Sequence, residues 1–211
     1  MDDGSHWEGV YGTRPADAVS WFQPVAERSL ALIRRVAPDP DAPIIDVGGG
    51  ASVLVDALLR LGYHELTVLE LASSALAVAQ ARLGEAAGAV RWLEADVRTA
   101  ALPAAHYALW HDRAVFHFLT EAGDRAAYVA QVRRAVRPGG HVLIATFAED
   151  GPTRCSGLPV ARYSPEALHR ELGDAFELVS ADRETHVTPT GSEQRFIYCL
   201  CRWGGAAAGG V

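Results

Sequence analysis

The sequence predicts an α/β fold: an open, mainly parallel sheet with helices on both faces and an antiparallel edge. Three observations carry this. Short apolar runs alternate with helix-patterned segments from residue 43 to residue 147, an order that demands parallel crossovers. The first of those runs is followed by three consecutive glycines, Gly48, Gly49 and Gly50. The last third changes character, with two strand-like segments, 175–187 and 194–203, joined by the turn Thr188-Pro189-Thr190-Gly191-Ser192.

The elements follow in order. Residues 5–23 mix aromatic and polar groups, among them His6, Trp7, Tyr11, Trp21 and Phe22. Val25, Leu30, Ile33 and Val36 stand near helical spacing, so 24–36 reads as a helix, broken by Pro38, Pro40 and Pro43. Residues 43–47 read as a buried strand, 52–61 as a helix, 66–69 as the second strand and 73–83 as a helix with Ser73 or Ser74 as N-cap. Strands at 90–93 and 107–110 come next, then a helix over 123–136 stopped by Pro138 and Gly139-Gly140, then a fifth strand at 141–147. Residues 149–163 read as a long loop without structure of its own, a length that marks functional loops. Ser164-Pro165-Glu166 opens a helix to about Leu172.

Composition bounds the rest. The 211 residues fit one domain, 1–203, with 204–211 as a small, flexible tail. The net charge of -7, with 19 scattered basic residues, argues against a nucleic-acid reader. All 19 are Arg; there is no Lys, so Schiff-base lysine chemistry is excluded. Three cysteines behind an acidic, polar start point to a reducing, cytoplasmic setting, and no apolar run approaches 18 residues, so no membrane span is expected.

A strand, a glycine turn and a helix form a ligand loop: the turn lets a ligand approach the backbone, and the helix start offers N–H groups to an anion. A dinucleotide fingerprint needs a third glycine where Val53 stands. Asp46, two residues before Gly48, repels a pyrophosphate but accepts from a cationic amino group, which suits a ligand bearing an amino acid. Glu70 ends the second strand, 20 residues after Gly50, where a carboxylate can accept ribose hydroxyls. Asp96 and Val97 follow the third strand, where an acid can accept from an adenine amino group and an apolar side chain can pack on the ring.

Asp46-Val47-Gly48-Gly49-Gly50 with Glu70, Glu94-Ala95-Asp96-Val97, and Val136-Arg137-Pro138-Gly139-Gly140 before a strand together resemble the class I S-adenosylmethionine-dependent methyltransferases across nearly the whole chain. The resemblance implies a Rossmann-like, doubly wound, seven-stranded sheet whose last strand is antiparallel, with S-adenosyl-L-methionine as cofactor. By position, Asp46, Gly48 and Gly50 would hold the methionine end, Glu70 the ribose, and Asp96 with Val97 the adenine, with Gly49, Ser52, Leu71 and His111 as further cofactor contacts. The usual third glycine is replaced by Ser52. The opening His6-Trp7-Glu8-Gly9-Val10-Tyr11 and Ser20-Trp21-Phe22-Gln23 is similar to openings of thiopurine-type and certain lysine methyltransferases. That implies an N-terminal helical cover within residues 1–40, with Trp21 on the cofactor and Tyr11 on cofactor or substrate.

Ligands of such sheets bind beyond the carboxyl ends of the strands. With the fourth strand ending at Trp110, His111, Asp112 and Arg113 are candidates to face the reacting methyl: His111 as general base, Asp112 to orient it or bind a cation, Arg113 to grip an anion. The alternative is that Asp112 caps the next helix and pairs with Arg113. His117 lies one to two turns on, and the 149–163 loop supplies Arg154, Cys155, Arg162 and Tyr163 as candidate substrate contacts. Cys199 and Cys201 share a strand face but lack metal-ligand spacing, so no metal site is expected. The expected activity is methyl transfer to a small-molecule acceptor. A protein side chain is the second reading, a non-catalytic cofactor-binding protein and a nucleotide-dependent oxidoreductase the remaining ones. No nucleic-acid partner is expected.

Overall fold

The computed structural model describes residues 3–205, and the part of the expected tail at 206–211 lies outside them. Seven strands form one sheet: β1 (Ile44–Val47), β2 (Leu66–Glu70), β3 (Val90–Glu94), β4 (Tyr107–Arg113), β5 (Val136–Phe147), β8 (Phe176–Val187) and β9 (Glu193–Trp203). A separate two-stranded hairpin, β6 (Arg154–Cys155) with β7 (Leu158–Pro159), gives structure to the segment expected to be a bare loop. The spatial order is β3-β2-β1-β4-β5-β9-β8. Only β9 runs antiparallel to its neighbours, as the expected last strand.

The apolar runs are strands because both sheet faces are covered. All four residues of β1 and all five of β2 are buried, the pattern of a central parallel strand. One face packs on α2 (Glu27–Val36), α3 (Leu54–Arg60) and α4 (Ser73–Leu83), through Ile33, Leu54, Leu58 and Leu76 against Ile44, Val68, Leu109 and Leu143. The other packs on α5 (Ala122–Ala135) and α6 (Pro165–Leu172), through Tyr128, Val132, Leu168 and Leu172 against Val47, Trp110, Val142 and Ile144. The chain leaves β1 toward β2 and β3, then returns to β4 on the other side of β1. That switch opens a cleft at the carboxyl ends of β1 and β4.

Further features depart from the sequence expectation, among them β5, which begins at Val136 rather than at 141. Residues Asp3–Thr13 form a helix, α1, despite Gly4, Gly9 and Gly12. Neither Ser73 nor Ser74 caps α4; its N-cap is Ala72, without a side-chain cap. The carboxylate of Glu8 on α1 takes that place, accepting from Ser73 Oγ at 2.9 Å and Ser74 N at 3.3 Å. A negative group at a helix N-terminus is favoured by the helix dipole, and the two serines hold its pKa below the usual range. No helix among the described residues is long and apolar enough to cross a membrane.

β4 is longer than expected, running through His111 and Asp112 to Arg113. Its polar end stays in the sheet because each side chain finds a buried partner. Asp112, fully buried, accepts from Tyr128 Oη at 2.7 Å and from Val115 N at 2.9 Å, and Tyr128 Oη accepts from Trp110 Nε1 at 2.8 Å. Replacing Tyr128→Phe removes a donor from Asp112 and an acceptor from Trp110, and is expected to destabilise the fold by about 2–3 kcal/mol in urea denaturation. A loss below about 0.5 kcal/mol, the range of an ordinary surface substitution, would show that this network does not hold the end of β4.

Candidate active site

The centre of the cleft is a buried pair across β1 and β4. Their register sets Asp46 opposite His111. His111 Nδ1 lies 2.7 Å from Asp46 Oδ1, and His111 Nε2 lies 2.9 Å from Ser29 Oγ on α2. All three side chains are buried. Asp46 Oδ2 is buried with no hydrogen-bond partner, and a Cβ on Gly49 would stand 2.5 Å from it. His111, expected beyond the end of the fourth strand, lies within β4 with both ring nitrogens hydrogen-bonded.

The glycine turn is shaped by what lies over it. Gly48 has φ +68°, and a Cβ there would fall 2.1 Å from Val115 Cγ2. Val115 reaches that position because Ala114, directly after β4, turns the chain with φ +75°. A left-handed alanine is strained, and such strain gathers at ligand sites. Ser52 Oγ accepts from Leu54 N at 3.1 Å where the turn enters α3. Arg82 on α4 clamps the same turn, donating to Ala51 O at 2.9 Å and Ser52 O at 2.7 Å while paired with Asp56.

Glu70 closes the turn from the far side. Its Oε1 accepts from Leu71 N at 2.8 Å and Ala72 N at 3.1 Å. A Cβ on Gly50 would fall 2.6 Å from Oε2, which no donor among the described residues satisfies. Burial pushes the Glu70 carboxyl up to about 7. Glu70 and Leu71 border a cavity of about 550 Å³, with Gly48, Val97 and Val115 on its walls. Asp96 also lines it, but Arg98 holds both its oxygens, through N and Nε to Oδ1 and Nη2 to Oδ2 at 2.5 Å. A smaller cavity of about 50 Å³ lies beside it, bordered by Asp46, Gly49, Ser52 and His111. Tyr11, Trp21, Gly48 and Arg113 line both cavities and divide them.

Arg113 sits at that division. It donates from Nε to Tyr198 Oη and from Nη1 to Trp21 O, each at 3.0 Å, and its guanidinium lies 4.4 Å over the Phe196 ring. Asp112, its neighbour, points to the other face and reaches neither cavity; it anchors the turn at Val115 and Phe116 and does not pair with Arg113. Burial raises its carboxyl to about 6.

Four further candidates are not at the cavities. His117 is fully buried between Phe118 and Phe147, where desolvation lowers it to about 3. Tyr163 is buried against Phe116 in the core. Arg154 bonds to Gly157 O within the β6–β7 hairpin, and Arg162 to Gly151 O at 3.1 Å, both exposed. Cys155 alone of the loop candidates lines the larger cavity, its thiol pushed up to about 11 by burial. Cys199 and Cys201 lie in the core on β9, and no metal-ligand cluster is found among the described residues. Sequence reasoning missed Leu158 and Pro159 of the hairpin, Trp7 of α1, Val115 and Phe118. The Ser156-Gly157 pair, with φ of +47° and +79°, was the legible sign of that hairpin.

Comparison with known proteins places these features in a family. Residues 44–140 match the model of a methyltransferase domain. The chain is 32% identical over 166 residues to a ubiquinone biosynthesis O-methyltransferase of Paracidovorax citrulli, covering 77% of this chain and 69% of that protein. Alignments with other curated relatives span less of them, 27% of a bifunctional biotin biosynthesis protein of Bordetella avium and 56% of an uncharacterized methyltransferase of Mycobacterium bovis. Among solved structures, a SAM-dependent methyltransferase from Anabaena variabilis superposes with a TM-score of 0.74 at 14% identity, covering 96% of each chain. The 1,6-didemethyltoxoflavin-N1-methyltransferase of Burkholderia thailandensis superposes at 0.66 and 19% identity, covering 94% of this chain and 84% of that one.

Glu70 gives this site a measurable signature. Its carboxyl titrates higher in the fold than in the unfolded chain, so folding takes up a proton between about pH 4.5 and pH 7. Its contribution is intact below the unfolded value and is lost as pH rises through 7. In ligand-free protein, Glu70→Gln is expected to remove this loss, gaining on the order of 3 kcal/mol over the unsubstituted chain between pH 5 and pH 8. Parallel pH profiles in denaturant would mean that Glu70 is compensated in the fold.

Proposed function

The chain belongs to the class I S-adenosylmethionine-dependent methyltransferases, and on that premise we propose that it methylates a small-molecule acceptor held beside the cofactor under α1. The observation that carries the reading is the pair of half-used carboxylates on either side of the glycine turn. Asp46 keeps one buried oxygen without a partner, and Glu70 keeps one oxygen free of protein donors. A ligand with a cationic amino group at one end and vicinal hydroxyls near the middle satisfies both. S-adenosylmethionine has that pattern, and the residues present fit it.

Asp46, with Gly48 and Gly49, would hold the methionine end, and Ser52 at the start of α3 would lie beside its carboxylate. Glu70 would accept the ribose hydroxyls, and Leu71 with Val97 would sandwich the adenine. Asp96, already held by Arg98, shapes the adenine wall more than it offers a free acceptor. Bound there, S-adenosylmethionine supplies a methyl group on a sulfonium, already activated toward in-line displacement. What the protein adds is orientation and exclusion of water, which carry much of such catalysis. His111 is a positioning residue in this reading: held by Ser29, it fixes Asp46. Trp7, Tyr11 and Trp21 cover the ligand from the N-terminal side.

A small acceptor is favoured over a protein side chain because the cavity is roofed by α1 and walled by the β6–β7 hairpin. Calorimetry with S-adenosylmethionine and with NADH tests the cofactor, with binding expected only for the first. Incubating lysate with cofactor labelled in the methyl group tests the acceptor: label in the small-molecule fraction supports the reading, and label on protein bands overturns it in favour of a protein substrate. His111→Ala is expected to weaken cofactor affinity about tenfold while kcat changes less. A fall in kcat at unchanged affinity would instead restore His111 as the base.

A further inference from the structure

The methyltransferase reading leaves Arg113 unexplained, and its surroundings narrow the acceptor. Its side chain is about nine-tenths buried, and Nη2 is buried without a hydrogen-bond partner. The nearest carboxylate, Glu184, stands 4.0 Å away, beyond hydrogen-bond range, and its Oε2 already accepts from Tyr198 Oη at 2.8 Å. The contact with Phe196 and the bonds to Tyr198 and Trp21 lock the guanidinium, and Arg113 lines both cavities. A buried guanidinium with Nη2 unpartnered matches an anion, which it can hold by a charge-assisted N–H···O bond.

The position separates Arg113 from the proposed ribose and adenine contacts, while it borders the cavity of Asp46 as well. Glu70 and Asp96 lie toward the β2–β3 side of the glycine turn, whereas Arg113 lies on β4 with β9 residues behind it. His111 and Arg113 alternate on the same face of β4, so Arg113 stands about 7 Å further toward the carboxyl end than the Asp46–His111 pair. Cys155 and Pro159 of the hairpin share the cavity with it. Trp7, Tyr11, Trp21 and Phe118 add aromatic walls, with Trp7 edge-on to Phe118 and to Trp21.

We propose that Arg113 is the anion receptor of the acceptor subsite, and that the acceptor is a planar aromatic molecule carrying a carboxylate. The inference rests on the methyltransferase reading, and the test separates the two. Protein saturated with S-adenosylhomocysteine is titrated with matched acids and amides, benzoate with benzamide and indoleacetate with indoleacetamide. The acids are expected to bind about tenfold or more tighter than their amides. In Arg113→Gln that preference is expected to vanish, with S-adenosylhomocysteine affinity changed by less than about threefold. Arg113→Lys, which keeps the charge and loses the planar fork, should retain part of it.

Equal binding of acids and amides by the unsubstituted protein overturns the proposal without any variant, so a misfolded Arg113→Gln cannot shelter it. A collapse of S-adenosylhomocysteine affinity in Arg113→Gln also overturns it, because Arg113 would then grip the cofactor's own carboxylate. Failure of the unsubstituted protein to bind S-adenosylhomocysteine takes down the methyltransferase reading itself, and the inference with it.

Discussion

Asp46 is a carboxylate buried at the end of a central strand, and much of the site follows from that burial. A charge in this position needs donors, and the nearest neighbouring backbone is already spent on the β1–β4 ladder. The register supplies His111 for one oxygen, and α2 supplies Ser29 to fix the far side of the imidazole. The other oxygen presses against Gly49, where any side chain would collide with it. The glycine turn is therefore sterically dictated by the carboxylate behind it as well as by a ligand in front. Glu70 repeats the constraint one strand away, with Gly50 as the residue that must lack a Cβ. Two buried acids flank one turn, each satisfied on one oxygen by the protein.

The other side of the turn is set by β4. Asp112 and Tyr128 hold the strand's end in the sheet, and Ala114 then takes a left-handed conformation that drops Val115 onto Gly48. Strain at Ala114 and bare space at Gly48 are two sides of one contact. The alternation of β4 sends Asp112 toward α5 and both His111 and Arg113 toward α2 and the N-terminal segment. The tripeptide thus divides its work: one residue anchors the strand, one fixes Asp46, and one presents a cation to the cavities.

This division explains what the sequence could and could not convey. The buried strands and the helix faces were legible because period-2 and period-3.6 patterns survive in a single chain, and the glycine turn with Glu70 was legible by spacing. His111-Asp112-Arg113 read as a loop because three polar residues break an apolar run; their partners, Asp46 and Tyr198, lie 65 and 85 residues away in sequence. His117 and Tyr163 looked available because a lone polar aromatic carries no sequence mark of burial, yet both are packed in aromatic clusters. Helix α1 was hidden because three glycines weaken any local preference for helix; it forms against the body of the protein, with Glu8 on the start of α4.

That last contact ties α1 to the Glu70 side of the glycine turn. Ser73 and Ser74 begin α4 immediately after Glu70, Leu71 and Ala72, so the residues that Glu8 engages are contiguous with those that hold Glu70 Oε1. Leu71 and Ala72, just before α4, donate to the carboxylate that lines the cavity, and Ser73 and Ser74, at its start, donate to the one that belongs to the roof. No described side chain of α1 is fully buried, so α1 is held by this cap and by the edge-on contacts of Trp7 and Tyr11 rather than by a core of its own. Segments with few buried apolar contacts open at low free energy. The same α4 terminus holds roof and Glu70 in fixed relation.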